Sequence, residues 1–126
     1  MPARVFLFAT AAVFVGFGVW GLFSPAQMVS SFGMDPGGAD GRTMIRASYG
    51  GFLIGEGLLF AWCAMSAQRV RLGLAAVAIL TAPILLSRLF GMAVDGATSI
   101  YHVIYALIEL IGVALAVLLI RLDAKR

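Results

Sequence analysis

Four long apolar stretches, joined by short polar turns, constrain the fold of this chain more than any other feature of its sequence. A helix needs about 20 predominantly apolar residues to cross the hydrocarbon core of a bilayer. Val5–Phe23, for example, contains no charged residue. None of the stretches shows the period-two alternation of a membrane strand. The sequence therefore predicts an all-α, four-helix transmembrane bundle forming one integral membrane domain over residues 1–126. The predicted spans are 4–23, 42–66, 72–94 and 100–120.

The composition agrees with a membrane protein and argues against several other classes. Hydrophobic residues make up 62% of the chain and charged residues 12%, whereas soluble domains average about 45–50% apolar and about 25% charged. The net charge of +3 comes from basic residues scattered at segment ends, which does not favour a nucleic-acid partner. The single cysteine, Cys63, can form neither an internal disulfide nor a thiolate metal cluster.

A short interfacial helix is predicted at 25–32, between the first two spans. Ser24 is a typical N-cap residue, Pro25 occupies the favoured first helical position, and Gln27 completes a capping box. Gly33 is a plausible left-handed residue at the other end. The segment mixes apolar and polar side chains, which favours a helix lying at the membrane surface.

The distribution of basic residues predicts the orientation in the membrane. With four crossings, the segment ends on one side carry Arg4, Arg69, Arg71, Arg121, Lys125 and Arg126. The opposite side carries Asp35, Asp40, Asp95 and Arg42. The excess of arginine and lysine on cytoplasmic loops then places both termini in the cytoplasm. We therefore expect a multi-pass membrane protein, with the 24–41 connection facing the periplasm or the exterior.

Several ionisable and polar side chains lie inside the predicted spans, where such groups are expensive and need partners. Residues seven apart on a helix differ by only about 20° in direction, so each of the later spans carries one polar stripe. The candidate site residues are Arg46, Tyr49, Glu56, Arg88, His102, Tyr105 and Glu109. Arginine pairs best with a carboxylate in a low dielectric. The leading pairing is Arg88 with Glu109 and Arg46 with Glu56 or Tyr49, and the swapped assignment stays open.

Small residues mark two further features of the spans. Gly16-Phe-Gly18-Val-Trp-Gly21 matches the dinucleotide pattern G-x-G-x-x-G, but no strand precedes it, so the glycines are interpreted as allowing close helix packing. Ala47, Gly51 and Gly55 form a small-xxx-small series. That series predicts a close helix contact, either inside the monomer or in a dimer.

The polar stripes lead to three hypotheses for function. The first is non-enzymatic binding of a lipid, a quinone or another amphipathic or anionic molecule in an outward-opening pocket lined by these residues, with the interfacial helix as its lip. The alternative is an accessory or structural subunit of a larger membrane complex or homo-oligomer, in which the nearly neutral set of charges fixes the packing of the helices. The third is an intramembrane enzyme that uses His102 and Glu109 for proton transfer. Two arginines at a similar depth would repel a cation, so no metal and no cofactor is predicted.

The chain also resembles a known family in a few specific strings. These are Gly21-Leu-Phe-Ser-Pro25-Ala26, Phe32-Gly33 and Arg42-x-x-x-Arg46-Ala47-x-Tyr49-Gly50-Gly51-Phe52. They resemble a family of small bacterial four-helix inner-membrane proteins catalogued as a domain of unknown function, similar in outline to the DoxX-like membrane proteins. The resemblance implies a four-span fold and a bacterial origin, and it transfers no activity and no catalytic residues. The DoxX-like group includes proteins associated with quinone and thiol redox chemistry, for which the single cysteine here offers little support.

Overall fold

All regular secondary structure in the computed structural model, which describes residues 1–123, is helical. The elements in chain order are α1 (Pro2–Phe23), α2 (Pro25–Ser30), α3 (Ala39–Ile45), a π-helical segment (Arg46–Gly51), α4 (Phe52–Ala64), a 3-10 turn (Ala67–Arg69), α5 (Val70–Asp95) and α6 (Ile100–Asp123). The predicted all-α class is confirmed. Lys125 and Arg126, which entered the orientation argument, lie outside the described residues.

Within the described residues, three helical stretches are long and apolar enough to cross a membrane, namely Pro2–Phe23, Ala67–Asp95 and Ile100–Asp123. They correspond to the first, third and fourth predicted spans. The predicted span 42–66 instead falls on α3, the π-helical segment and α4, which follow one another without a gap. None of these three pieces is long enough by itself, so a four-span bundle stays a prediction.

The interfacial segment forms a helix where the sequence predicted one, but its N-terminal cap differs. Helix α2 begins at Pro25, yet the predicted capping box of Ser24 and Gln27 is wrong, because no side chain caps this end. The reason is that Ser24 also ends α1, where its N–H donates to the carbonyl of Trp20 over 2.8 Å. The expected left-handed residue is present at Gly33, with φ of 75°.

Helices α1 and α4 approach each other closely through glycines. A Cβ added to Gly18 would lie 2.8 Å from the carbonyl oxygen of Gly50, and one added to Gly57 would lie 2.9 Å from the carbonyl oxygen of Ala11. Such distances leave no room for a side chain, so glycine is required on both helices. The interpretation of the glycine-rich run in α1 as a packing surface is therefore confirmed at Gly18.

The small-xxx-small series does not form this contact. Ala47 is exposed, a Cβ on Gly51 would reach only the carbonyl of its own helix at 4.0 Å, and nothing lies within 4 Å of Gly55. The prediction that this series packs inside the monomer is wrong. The contact uses instead the face of α4 that carries Gly57, since two small-residue stripes run along this helix and only one of them meets α1.

Two arginines cap the ends of the antiparallel pair α1 and α4. Arg4, at the start of α1, donates from Nε to the carbonyl of Ala64 at the end of α4 over 2.7 Å. Arg46 donates from Nε to the carbonyl of Leu22 at the end of α1 over 3.0 Å. The last carbonyls of a helix have no partner within the helix. The C-terminal end of α4 is therefore capped from α1, and that of α1 is capped from the π-helical segment that leads into α4.

The hydrophobic core lies toward the end of the bundle that contains Arg4. Its buried members include Leu7 of α1, Phe60 and Cys63 of α4, Leu74 and Val77 of α5, and Ala116 of α6. Apart from this core, α1 packs mainly on α4 and α5 mainly on α6, while α1 and α6 touch only sparsely. The two helix pairs are therefore joined firmly at one end and more loosely at the other, where the polar residues of α5 and α6 lie.

Candidate functional site

Arg88 of α5 and Glu109 of α6 form an ion pair in the loosely packed half of the bundle. Nη2 of Arg88 lies 2.6 Å from Oε1 of Glu109, and Nε donates to Oε2 over 3.0 Å. The arginine side chain is 21% exposed and the glutamate side chain 13%. This is the two-pronged geometry that suits arginine and carboxylate. The predicted pairing of these two residues is confirmed.

His102 and Tyr105, two turns and one turn before Glu109 on α6, complete the surroundings of the guanidinium. Nη1 of Arg88 lies 3.4 Å from Nδ1 of His102, and Cζ of Arg88 lies 5.4 Å from the centre of the Tyr105 ring. Because a guanidinium only donates, Nδ1 can accept this hydrogen bond only in the neutral imidazole whose proton is on Nε2. The four predicted site residues of α5 and α6 thus form one cluster.

Aromatic rings from the first part of the chain enclose this cluster. Phe32, just after α2, stacks on His102 with ring centres 6.5 Å apart and also contacts the ring of Tyr105 at 5.5 Å. Phe17 of α1 meets Tyr105 edge-on at 5.9 Å. The interfacial segment therefore reaches the polar cluster, in the place where the sequence predicted a lip.

An apolar groove begins at Tyr105 and extends along α1. Its volume is about 370 Å³, and it is a shallow depression that is widely open to the surroundings of the bundle. The residues that line it are Ala12, Val13, Gly16, Phe17, Trp20 and Tyr105. Tyr105 belongs to both the groove and the polar cluster, so the two are continuous. The gap exists because α1 and α6 make few contacts above the core.

The other three predicted site residues lie elsewhere. The expected pairing of Arg46 with Glu56 or Tyr49 is wrong, because Arg46 donates to the carbonyl of Leu22. That carbonyl at a helix end needs a donor, and the guanidinium satisfies it. Tyr49 is 43% exposed and lines a separate outer cleft of about 240 Å³ with Val29 and its neighbours. A single pocket containing all seven predicted residues is therefore not formed.

Glu56 is buried apart from the cluster. It is 6% exposed, and its Oε2 has no hydrogen-bond partner among residues 1–123. In the same range, the hydroxyl of Thr81 on α5 is also buried without a partner. No ion pair reaches either of these side chains in the part of the chain that the structure describes.

Sequence reasoning missed the aromatic half of the site. Phe17 and Phe32 look like ordinary apolar residues of a membrane helix and of an interfacial segment, and no polar spacing distinguishes them. Trp20 also lines the groove, although a tryptophan near the end of an apolar segment is typical of an anchor at the membrane interface. The only signal available was the position of Phe32 in a segment predicted to lie over the outer end of the bundle.

Comparisons with known proteins identify the chain at the level of its family. No curated protein and no solved structure matches it. Residues 2–120 match one family over nearly the whole length of the chain. The protein therefore belongs to the family described as a domain of unknown function, DUF4345.

Proposed function

We propose that the chain crosses a bacterial inner membrane four times, with both termini in the cytoplasm. Support for the second crossing comes from residues 39–64, which are helical throughout and extend over about 35 to 40 Å, more than the roughly 30 Å hydrocarbon core. Support for the orientation comes from Arg4, which caps the end of α4 next to the basic turn before α5. A fluorescent protein fused to the C-terminus should fold and fluoresce in the cytoplasm, and a periplasmic reporter fused there should stay inactive.

We propose that the protein is a non-enzymatic binder of a neutral amphipathic molecule, such as a lipid or a quinone. The observation that carries this proposal is the continuity between an apolar groove of about 370 Å³ and a polar cluster, which meet at Tyr105. Ligand sites are typically apolar clefts with a few convergent polar groups that fix orientation. The apolar tail would lie along α1, and the polar head would contact the cluster beside α5 and α6.

The charge of the cluster favours a neutral head group over an anion. Glu109 already neutralises Arg88, Arg46 is committed to a helix end, and Nδ1 of His102 lies 3.4 Å from the guanidinium. The contacts of Arg88 with Glu109 and His102 use three of its N–H groups, one each on Nε, Nη2 and Nη1. A guanidinium has five N–H donors, so two remain for a ligand. A carbonyl oxygen of a quinone or of a lipid ester is the acceptor that suits such donors without adding charge.

Two glycines allow a matched test of the groove. Nothing lies within 4 Å of a Cβ placed on Gly16, which lines the groove, or on Gly112 of α6, which does not. A Cβ therefore has room at both positions, and of the two leucine variants only Gly16→Leu places its side chain in the groove. A Trp62→Phe background leaves Trp20 as the only tryptophan, and it lines the groove.

The probe is decylubiquinone, titrated into the protein in lipid nanodiscs while the fluorescence of Trp20 is measured. We expect saturable quenching that Gly16→Leu weakens at least tenfold and Gly112→Leu leaves unchanged. Palmitate, an anion with a similar tail, should compete poorly. Quenching that rises linearly without saturation, or that is equal in both leucine variants, would show that the quinone only partitions into the lipid and would refute the proposal.

The alternative function, an accessory subunit or homo-oligomer, rests on a different surface. Ala47, Gly51 and Gly55 face outward from α4, and small residues at this spacing allow a second membrane helix to approach closely. Native mass spectrometry from nanodiscs would show a dimer or a stable complex in this case. Gly55→Leu should then release the partner, whereas a wild-type protein that is always a single chain would exclude this function.

A further inference from the structure

Glu56 occupies an unusual position for a carboxyl group. It lies near the middle of the proposed second span, is 6% exposed, and its Oε2 has neither water access nor a hydrogen-bond partner among the described residues. The hydrophobic core begins one turn away, at Phe60. A carboxylate in this position has an oxygen, Oε2, that loses its hydration without gaining a hydrogen bond, which disfavours the charged form.

Each arginine around α4 either has another hydrogen-bond or ion-pair partner or is exposed at the surface. Arg4 and Arg46 bind helix-end carbonyls, Arg69 donates to the carbonyl of Trp62, and Arg88 is paired with Glu109. The other titratable groups on α4 and on the elements packed against it are Tyr49, Cys63, Arg71 and Asp95. Tyr49, Arg71 and Asp95 are exposed, and Cys63 is a buried thiol two turns away. None of the described groups therefore offers Glu56 a counter-charge.

Thr81 lies in the same layer of the bundle as Glu56. Helices α4 and α5 touch where the Cβ of Cys63 packs against Gly73. Glu56 is seven residues from that contact and Thr81 eight, which corresponds to about 10 and 12 Å along the two helices. The layer thus contains two buried polar side chains and lacks a paired charge among residues 1–123. The hydroxyl of Thr81 and Oε2 of Glu56 each lack a hydrogen-bond partner, and a hydroxyl carries no charge that could neutralise a carboxylate.

We propose that Glu56 is a proton-binding site in the membrane interior, where its carboxyl group is held as the neutral acid, with Thr81 as the nearby polar group. Glu109, on α6, is the opposite case, because both of its oxygens accept hydrogen bonds from the guanidinium of Arg88. The bundle then contains one glutamic acid and one glutamate. The ligand of this site is the proton, and the site is separate from the proposed groove.

The sequence makes this proposal easy to test, since Glu56 and Glu109 are its only glutamates. Protein labelled with ¹³C in the glutamate side-chain carboxyl is placed in phosphatidylcholine nanodiscs at pH 7, and its infrared spectrum is recorded. The C=O stretch of a carboxylic acid and the paired stretches of a carboxylate are well separated, and the label distinguishes both from the aspartates. We expect equal amounts of acid and carboxylate in the labelled wild type.

Two variants assign the signals. Glu109→Gln leaves only Glu56 labelled and should show the acid band, while Glu56→Gln leaves only Glu109 and should show carboxylate alone. If one variant fails to fold, the other still assigns the acid band, because each variant keeps a single glutamate. Two carboxylates in the wild type, or a carboxylate band in Glu109→Gln, would overturn the proposal. Loss of quinone binding in the groove would leave it standing, because the two sites share no residue.

Discussion

Breaking the ion pair between Arg88 and Glu109 gives the sharpest test of how this bundle is held together. Glu109→Gln keeps the shape of the side chain but leaves the guanidinium without a counter-charge. Removing one partner of a buried pair costs about 3–5 kcal/mol. Both side chains keep some exposure, 21% and 13%, so we expect a loss just below that range, about 2–3 kcal/mol in the free energy of unfolding. Arg88→Met should cost a similar amount.

A double variant separates the interaction energy of Arg88 and Glu109 from the effects of losing each side chain alone. When both charges are removed, neither is left unpaired, so Arg88→Met with Glu109→Gln should cost about 2 kcal/mol less than the sum of the single losses. The assay is unfolding in mixed micelles with increasing sodium dodecyl sulfate, followed by far-ultraviolet circular dichroism. Arg71→Gln, at an exposed position on α5, controls for loss of a charge in general. A coupling below about 0.5 kcal/mol, as for a surface pair, would refute the reasoning.

Three further predictions follow from the helix contacts and the aromatic enclosure. Gly57→Ala should destabilise the protein by about 1–3 kcal/mol, because its Cβ would lie 2.9 Å from a backbone carbonyl of α1, while Gly55→Ala should change the free energy of unfolding little. Equal effects of the two alanines would contradict the close approach. Arg46→Met should cost about 1–2 kcal/mol in the same assay, since it leaves the carbonyl of Leu22 without its donor; an unchanged stability would mean that water replaces the cap. Phe32→Ala should weaken decylubiquinone quenching about 3- to 10-fold, because it opens the aromatic enclosure, and unchanged binding would place the head group elsewhere.

The ion pair was predictable from the sequence, and the partner of Arg46 was not. Arg88 and Glu109 have opposite signs on consecutive apolar segments, and a low dielectric leaves such groups few options. For Arg46, the sequence offers Glu56 in the same apolar segment as an equally reasonable partner. Arg46 instead donates to a carbonyl at the end of α1. A backbone carbonyl at a helix end is not visible in the pattern of side chains. A search for partners among side chains therefore does not find it.

The helix contact and the groove show a second limit of the same kind. Gly57 and Gly55 are both small residues at plausible packing positions, and only the rotation of α4 about its axis decides which of them meets α1. That rotation depends on the π-helical segment Arg46–Gly51, and no local sequence pattern predicts this segment. The groove, likewise, is a space left where α1 and α6 diverge, and a space is a property of the assembled helices.

The exchange of arginine caps between α1 and α4 has a consequence for biogenesis. Leu22 precedes its donor, Arg46, by 24 residues, and Arg4 precedes its acceptor, Ala64, by 60. As the chain leaves the ribosome, the end of α1 is therefore completed when the next apolar segment starts to emerge. The C-terminal end of α4 can be capped as soon as Ala64 has been synthesised, because its donor, Arg4, is among the first residues of the chain to be made. We expect the hairpin of α1 and α4 to be assembled before α5 is made. The hairpin of α5 and α6 then packs against a pair of helices that is already formed.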